Sequence, residues 1–396
     1  MNIAHRKVRR DRNEWSAVRM PSVAIIGTRG YPSYYGGFET AVRTLAPFLA
    51  EHGWDVTVYG RGGATNDEDP DCDKRVTTRA TRGFERKSLS TLTYGLTACI
   101  DAAHRKPDVA LVMNIANGFW LPILRARGIP TLVNVDGVEW EREKWGRLAK
   151  FVFRSGAKLT ARFGNRMVYD SRALAKKWQS DFNVSGVYIP YGGTTPPQLP
   201  VEPGLESRAY VLLVARFVPE NTISEFFDAV EDIARYYDVV IVGSSVYGSN
   251  LDDRAGELAA SNPRIRWLGH VSDDNRLFSL WRHAGVYFHG HSVGGTNPAL
   301  VQAMACGAPT IARDTIFNRE VIGPEGVFVK PKSQDIARAI LSAMKDSTWQ
   351  ENASQRALRQ VSSMYTWDKV CRTYELNLFA LCGTGKSSRD LCEYDG

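Results

Sequence analysis

Apolar residues along this chain come in short runs separated by segments with helical spacing. Val23–Ile26 leads into a glycine-rich turn, after which Ala41–Glu51 repeats apolar positions at helical intervals. Further runs of strand length stand at Val56–Tyr59, Val109–Met113, Thr131–Val135, Met167–Tyr169 and Val187–Ile189, with room for helices between them. A Pro/Gly-dense stretch then interrupts the pattern. Tyr191-Gly-Gly-Thr-Thr-Pro-Pro-Gln-Leu-Pro, followed by Val201-Glu-Pro-Gly, marks a domain boundary. The alternation restarts with strands at Tyr210–Val214, Val239–Val242, Ile265–Leu268, Val286–Phe288, Thr310–Ala312 and Val327–Val329, and with helices over 221–235, 272–284, 297–306 and 332–345. Such alternation on both sides of one linker predicts an α/β chain of two doubly wound parallel-sheet domains, 21–195 and 205–365. In these folds the ligand sits at the carboxyl ends of the strands, here a cleft between the halves. Thr366–Leu381 reads as a last amphipathic helix, and the polar tail over 383–396 as frayed.

Composition narrows the class. With 43% hydrophobic and 23% charged residues over 396 positions, disorder, collagen-like sequence and a long coiled coil are excluded. Six cysteines without C-x-x-C spacing read as reduced thiols, hence a cytoplasmic protein. The basic tail over 1–20 lacks the apolar stretch of a signal peptide before Pro21. Two uncharged segments, Val109–Leu124 and His283–Ala312, are too short or too broken by Gly, Asn, His and Pro to span a membrane. The net charge of +7 favours an anionic partner. Its clearest local source is Arg142–Arg166, where eight basic residues face Glu143 alone and Trp145, Phe151, Phe153 and Phe163 interleave. Such a helix fits an anionic membrane surface, and equally a half-buried helix with a solvated basic face. No nucleic-acid-binding module is present, so no nucleic-acid partner is expected.

Three glycine-bearing motifs carry the candidate chemistry. The first, Gly27 to Glu39, follows the first strand. Gly36-Gly37 at a helix start lets a phosphate approach free N–H groups, although a tight strand-to-helix turn has the same signature. It lacks G-x-G-x-x-G spacing and is therefore not the dinucleotide fingerprint. The second, Val214-Ala-Arg-Phe-Val-Pro-Glu-Asn221, ends a strand with Arg216, whose guanidinium suits a diphosphate. In the third, Gly290 to Gly307, the glycines 294 and 295 close a loop, Thr296 or Asn297 can cap, and Pro298 fits a first helical turn. His289 and His291 alternate there with no third ligand nearby, which favours a non-metal role. Gly383-Thr-Gly-Lys-Ser387 lacks the earlier glycine of a P-loop, and the acidic run 67–73 reads as a solvated loop.

Together these motifs resemble the retaining nucleotide-sugar glycosyltransferases of family 4, with the GT-B fold, and within them a bacterial rhamnosyltransferase-like subgroup. The marks are Ile25-Ile-Gly-Thr-Arg-Gly-Tyr-Pro, Tyr35-Gly-Gly-Phe-Glu-Thr, Val133-Asn-Val-Asp-Gly-Val-Glu-Trp140, the Arg216 and Gly294 segments, Phe317-Asn-Arg-Glu-Val321 and Tyr365-Thr-Trp367. The resemblance implies an acceptor domain followed by a nucleotide-sugar domain, with a helix over 366–382 packing back on the first. It implies two catalytic positions, Asp136 beside the transferred sugar and Arg216 on the diphosphate. Donor-binding roles fall to Gly36, Gly37, Arg216, Asn221, Gly294, Gly295, Thr296, Asn297 and Gln302. No metal or other cofactor is implied. Asn221 stands where the family often has lysine, and Gly294 and Gln302 stand where it usually has two glutamates eight apart. A neutral Gln302 in place of a ribose-binding carboxylate favours a deoxyribose donor such as dTDP-rhamnose. The expected function is transfer of rhamnose, with retention, onto a glycan or lipid-linked acceptor in surface polysaccharide synthesis, in the cytoplasm or peripherally on the inner face of the cell membrane. Another GT-B enzyme using a UDP- or GDP-sugar, or a silent GT-B scaffold, are the alternatives.

Overall fold

The computed structural model describes residues 20–34, 36–63, 68–85, 89–135, 137–141, 146–245 and 250–383. The tail over 1–19, Asp136, Arg142–Trp145 and residues 384–396 lie outside them.

The first domain carries strands β1 (Ser22–Ile26), β2 (Asp55–Arg61), β3 (Thr77–Thr81), β4 (Val109–Met113), β5 (Thr131–Asn134), β6 (Arg166–Tyr169) and β7 (Gly186–Tyr188). All pair in parallel, in the order β3-β2-β1-β4-β5-β6-β7. Helices α1 (Gly37–Glu51), α2 (Leu89–Arg105), α3 (Leu121–Ala126), α4 (Arg147–Phe163) and α5 (Arg172–Phe182) lie between them in sequence. Strands buried on both faces need continuous apolar runs rather than alternation, and Val-Ala-Leu-Val-Met of β4 is buried at every position. One core layer gathers Leu45, Val58 and Leu111, and a second on the other face gathers Ile26, Val112 and Trp178.

The second domain repeats the plan. Strands β8 (Tyr210–Val214), β9 (Asp238–Val242), β10 (Ile265–Trp267), β11 (Val286–His289), β12 (Thr310–Arg313) and β13 (Val327–Val329) form a parallel sheet ordered β10-β9-β8-β11-β12-β13. Its helices are α6 (Ile223–Ala234), α7 (Asn250–Ser261), α8 (Asp274–His283), α9 (Pro298–Ala305), α10 (Ile316–Ile322), α11 (Ser333–Met344) and α12 (Ser347–Met364). In each sheet the strand order reverses beside the first strand, which opens a crevice at the carboxyl ends.

The chain crosses between the domains twice. Gly193 of the linker donates its N–H to the Tyr365 carbonyl (2.8 Å), so outgoing and returning segments run side by side. Helix α13 (Trp367–Leu381) then packs on the first domain, burying Val370, Tyr374 and Leu378 in its core. Asn134 donates to the Tyr374 hydroxyl (2.7 Å), Arg166 to Asn377 Oδ1 (2.7 Å) and the Trp54 indole to Glu375 (3.2 Å).

Candidate active site between the domains

A cleft of about 810 Å³ lies between the two sheets and is lined from both. On the first-domain side α1 begins after Gly36, and on the second-domain side α9 begins after Asn297. The two helix starts face each other: a Cβ built on Gly37 would lie 3.2 Å from Pro298 Cγ and 3.2 Å from the Tyr191 hydroxyl. A helix start leaves its first N–H groups without intrahelical partners and carries the positive end of the dipole. Two such starts on one cleft make it attractive to anions. Asn297 caps α9, its Oδ1 accepting from the Ala299 N–H (2.9 Å), and Pro298 occupies the first turn, where its missing N–H costs nothing.

Arg216 follows the carboxyl end of β8, lines the cleft and is solvent-exposed. Its backbone is held by Asn221, whose Nδ2 donates to the Arg216 carbonyl (2.7 Å) while Oδ1 meets His291 Nδ1 (2.6 Å). Asn221 is buried and outside the cleft lining, and it couples the Arg216 loop to the His291 loop. The His291 carbonyl in turn accepts from Asn318 Nδ2 (2.9 Å), a buried side chain of the Phe317–Val321 motif.

Gly36, Gly37, Arg216, Gly294, Gly295, Thr296 and Asn297 are brought together on this one cleft. Gln302 is not among its lining residues. It sits one turn into α9, where its Oε1 accepts from the Thr194 N–H (3.0 Å) and its Nε2 donates to the Thr194 carbonyl (2.7 Å). That pairing ties the second domain to the interdomain linker. Thr296 is buried and its hydroxyl donates across the cleft to the Asp170 carbonyl. Asp136 lies outside the described residues, although its neighbour Gly137 does not: a Cβ there would sit 3.3 Å from Gly294 Cα.

His289 is separated from His291 by 6.3 Å between ring centroids. Its Nδ1 pairs with the Tyr287 hydroxyl (2.9 Å), and burial, aided by His291, pushes its pKa down to about 3, so the ring is neutral. It belongs to the core beneath the cleft.

Several cleft residues carry no role in the sequence reading: Arg29, Glu39 and Glu139 lie inside the quoted motifs, and Arg61, Asn114 and Asp170 outside them. Glu39 is buried in the first turn of α1 and accepts from the Arg29 N–H (3.2 Å), fixing the loop that precedes the helix. Asn114, at φ +73°, sits in the left-handed region directly after β4, where its Oδ1 accepts from the Ala116 N–H (2.8 Å). Polar residues just past the carboxyl end of a parallel strand were the available signal, and Asp170 after β6 and Asn114 after β4 both satisfy it.

Helix α4 joins the cleft to the surface. Gly156, Ala157 and Thr160 are buried, and a Cβ on Gly156 would fall 2.7 Å from the Ile115 carbonyl oxygen, so the helix lies tightly on the turn after β4. The aromatics divide: Phe153 and Phe163 pack inward, whereas Phe151 is 70% exposed, beside Leu148 at 78%. Arg147, Lys150, Arg154, Lys158 and Arg162 face no acidic residue within the helix.

Residues 36–192 match the glycosyl transferase 4-like domain model, and residues 198–360 the model of glycosyl transferases group 1. The O-antigen chain mannosyltransferase B of Escherichia coli is 26% identical over 182 residues, 44% of this chain and 46% of that protein. A phosphatidyl-myo-inositol mannosyltransferase of Mycobacterium leprae is 29% identical over 220 residues, 51% of this chain and 57% of that protein. The matches thus span about half the length of these curated relatives. Among solved structures, a sucrose-phosphate synthase of Thermosynechococcus elongatus superposes with a TM-score of 0.74 at 19% identity, covering 93% of this chain and 100% of that one. Anabaena HepE in complex with UDP-glucose gives 0.71 at 14% identity, covering 91% and 99%. Between them the two domain models leave only 193–197 unmatched within residues 36–360, and the chain belongs to the two-domain glycosyl transferases of the GT-B fold.

Proposed function

We propose that this protein transfers a hexose from a nucleoside-diphosphate sugar to a hydroxyl of a glycan or lipid-linked acceptor, with retention and without a metal. The observation that carries this reading is the exposed Arg216 on the same cleft as the starts of α1 and α9. In glycosyl transfer the bond from the anomeric carbon to the β-phosphate breaks, the bond to the acceptor oxygen forms, and the acceptor proton passes to the departing phosphate. Negative charge therefore grows on the leaving diphosphate, and a guanidinium with two helix starts is positioned to stabilise it. Asp136 is assigned, on the family resemblance, a carboxylate role beside the sugar.

The reading of the donor as dTDP-rhamnose rests on position 302, where a neutral glutamine engaged with Thr194 offers the ribose no carboxylate. The mannosyltransferase relatives make GDP-mannose the second donor to test. A lipid-linked acceptor is favoured by α4, because Arg147 and Leu148 line the cleft while Leu148 and Phe151 project into solvent on the same helix. This supports a site of action at the cytoplasmic membrane surface.

Nucleotide release from dTDP-rhamnose, GDP-mannose, UDP-glucose and UDP-N-acetylglucosamine, with and without acceptor-bearing membranes, tests the proposal. One donor is expected to turn over, and Arg216→Ala to lower its rate by roughly 10²–10³-fold, as for loss of a transition-state charge donor. Silence of the wild type with every donor and membrane would instead indicate a binding scaffold.

A further inference from the structure

Asp170 is the first residue after β6, buried to 6% exposure, and it lines the cleft from the first domain. The segment it opens is gripped by the second domain. The Thr296 hydroxyl donates to the Asp170 carbonyl. Glu320 of the Phe317–Val321 motif accepts from the Ser171 hydroxyl (3.0 Å), the Arg172 N–H (2.7 Å) and the Ala173 N–H (3.2 Å). Glu320 thereby caps α5 from the opposite domain, alongside the Ser171 side chain, which accepts from the Ala173 and Leu174 N–H groups.

This grip determines where the Asp170 carboxylate lies. A Cβ on Gly295 would fall 1.6 Å from Asp170 Oδ1, 2.2 Å from Cγ and 2.5 Å from Oδ2. The carboxylate therefore rests directly over the α-carbon of Gly295, in space that only a glycine leaves open. The Gly294–Gly295 loop leads straight into Thr296, Asn297 and the start of α9, so whatever is bonded to a diphosphate at that helix start lies beside the loop. A buried carboxylate in that position is an acceptor-only group that can take hydrogen bonds from two neighbouring hydroxyls. It also repels a phosphate. A polyhydroxylated ring attached to the diphosphate satisfies the first property and keeps the phosphates away from the second.

We propose that Asp170 is a specificity-determining residue that binds vicinal hydroxyls of the donor's hexose, supplied by the first domain to a loop whose own residues, Gly294 and Gly295, have no side chains. The inference rests on the nucleotide-sugar reading of the cleft. It makes sugar recognition a property of the two domains clamped together, because Thr296 and Glu320 orient the segment bearing Asp170.

Two affinities separate the possibilities. Binding of the free nucleoside diphosphate and of the matching nucleotide sugar is measured by calorimetry for the full chain and for Asp170→Asn, which keeps the shape and removes the charge. UDP, GDP and dTDP serve as the nucleotides, each against its sugar derivative. The expected result is a nucleotide sugar bound roughly tenfold or more weakly by Asp170→Asn, as for loss of charge-assisted hydrogen bonds, with the free diphosphate bound equally well or more tightly. A fall of both affinities by the same factor would assign Asp170 to loop structure and overturn the inference, as would no change in either. Should the wild type bind none of the free diphosphates, the nucleotide-sugar reading itself fails. Thermal unfolding of Asp170→Asn beside the wild type checks that the fold survives, and Asp170→Glu provides a second variant that keeps the charge while displacing it over Gly295.

Discussion

At the scale of single residues, His289 shows how burial sets chemistry. It is enclosed at the end of β11 with its Nδ1 on the Tyr287 hydroxyl, and its pKa is pushed down to about 3. The folded chain holds this ring neutral, whereas the unfolded chain protonates it below about pH 6.5. The folded-state pKa is the lower one, so its contribution to stability is complete above pH 6.5 and is lost as pH falls toward 3. The unfolded state binds the extra proton throughout that window, and stability declines by up to ~1.4 kcal/mol per pH unit from this group. Urea denaturation between pH 4.5 and 7 is expected to show a shallower decline for His289→Gln than for the wild type. Equal slopes would mean that the ring titrates normally in the fold. Gln302 shows the converse, since its type suggested a ligand contact while both ends of its amide are engaged by Thr194.

At the scale of elements, the junction between α10 and α5 is the contact to test. A carboxylate from one domain accepts two backbone N–H groups and a hydroxyl at the helix start of the other. Removing it in Glu320→Ala leaves those donors to water and costs about 1–3 kcal/mol of the clamped arrangement. The expected outcome is a larger radius of gyration in solution scattering, with the melting of the individual domains little changed. A profile identical to the wild type would mean that the linker and α13 hold the domains together by themselves. Helix α13 is well placed to contribute, because Tyr374 is buried in the first-domain core and hydrogen-bonded to Asn134.

For the whole molecule, the outward face of α4 and the mouth of the cleft form one surface. Leu148 and Phe151 stand exposed among five basic side chains, and Leu148 also lines the cleft. No helix among the described residues is long and apolar enough to cross a membrane, so any attachment through this face is peripheral. Cosedimentation with phosphatidylglycerol vesicles is expected to exceed that with phosphatidylcholine and to fall with salt. The double variant Leu148→Asp, Phe151→Asp is expected to weaken vesicle binding at least tenfold, since burying each apolar side chain is worth about 1.5–3 kcal/mol. Unchanged cosedimentation of that variant would remove α4 from the membrane interface.

The sequence by itself determined the doubly wound class and the three glycine-bearing segments. Strands buried on both faces must be continuous apolar runs, and tight approaches of backbone to backbone or ligand must be glycine. Elements without an apolar stripe were not legible. β3, Thr-Thr-Arg-Ala-Thr, is a partly exposed edge strand held by its pairing with β2, and α12 buries Gln350, Ala353, Ser354 and Ala357 where a period of large apolar residues would be sought. Only the tertiary structure decided what each polar group faces. Asp170 and Glu320 are 150 positions apart in sequence, yet domain packing sets both ends of the 170–173 segment against the second domain. Periodicity reports which face of an element is buried. Which groups meet across a cleft depends on how two separately folded sheets are docked, and no local pattern of residues encodes that docking.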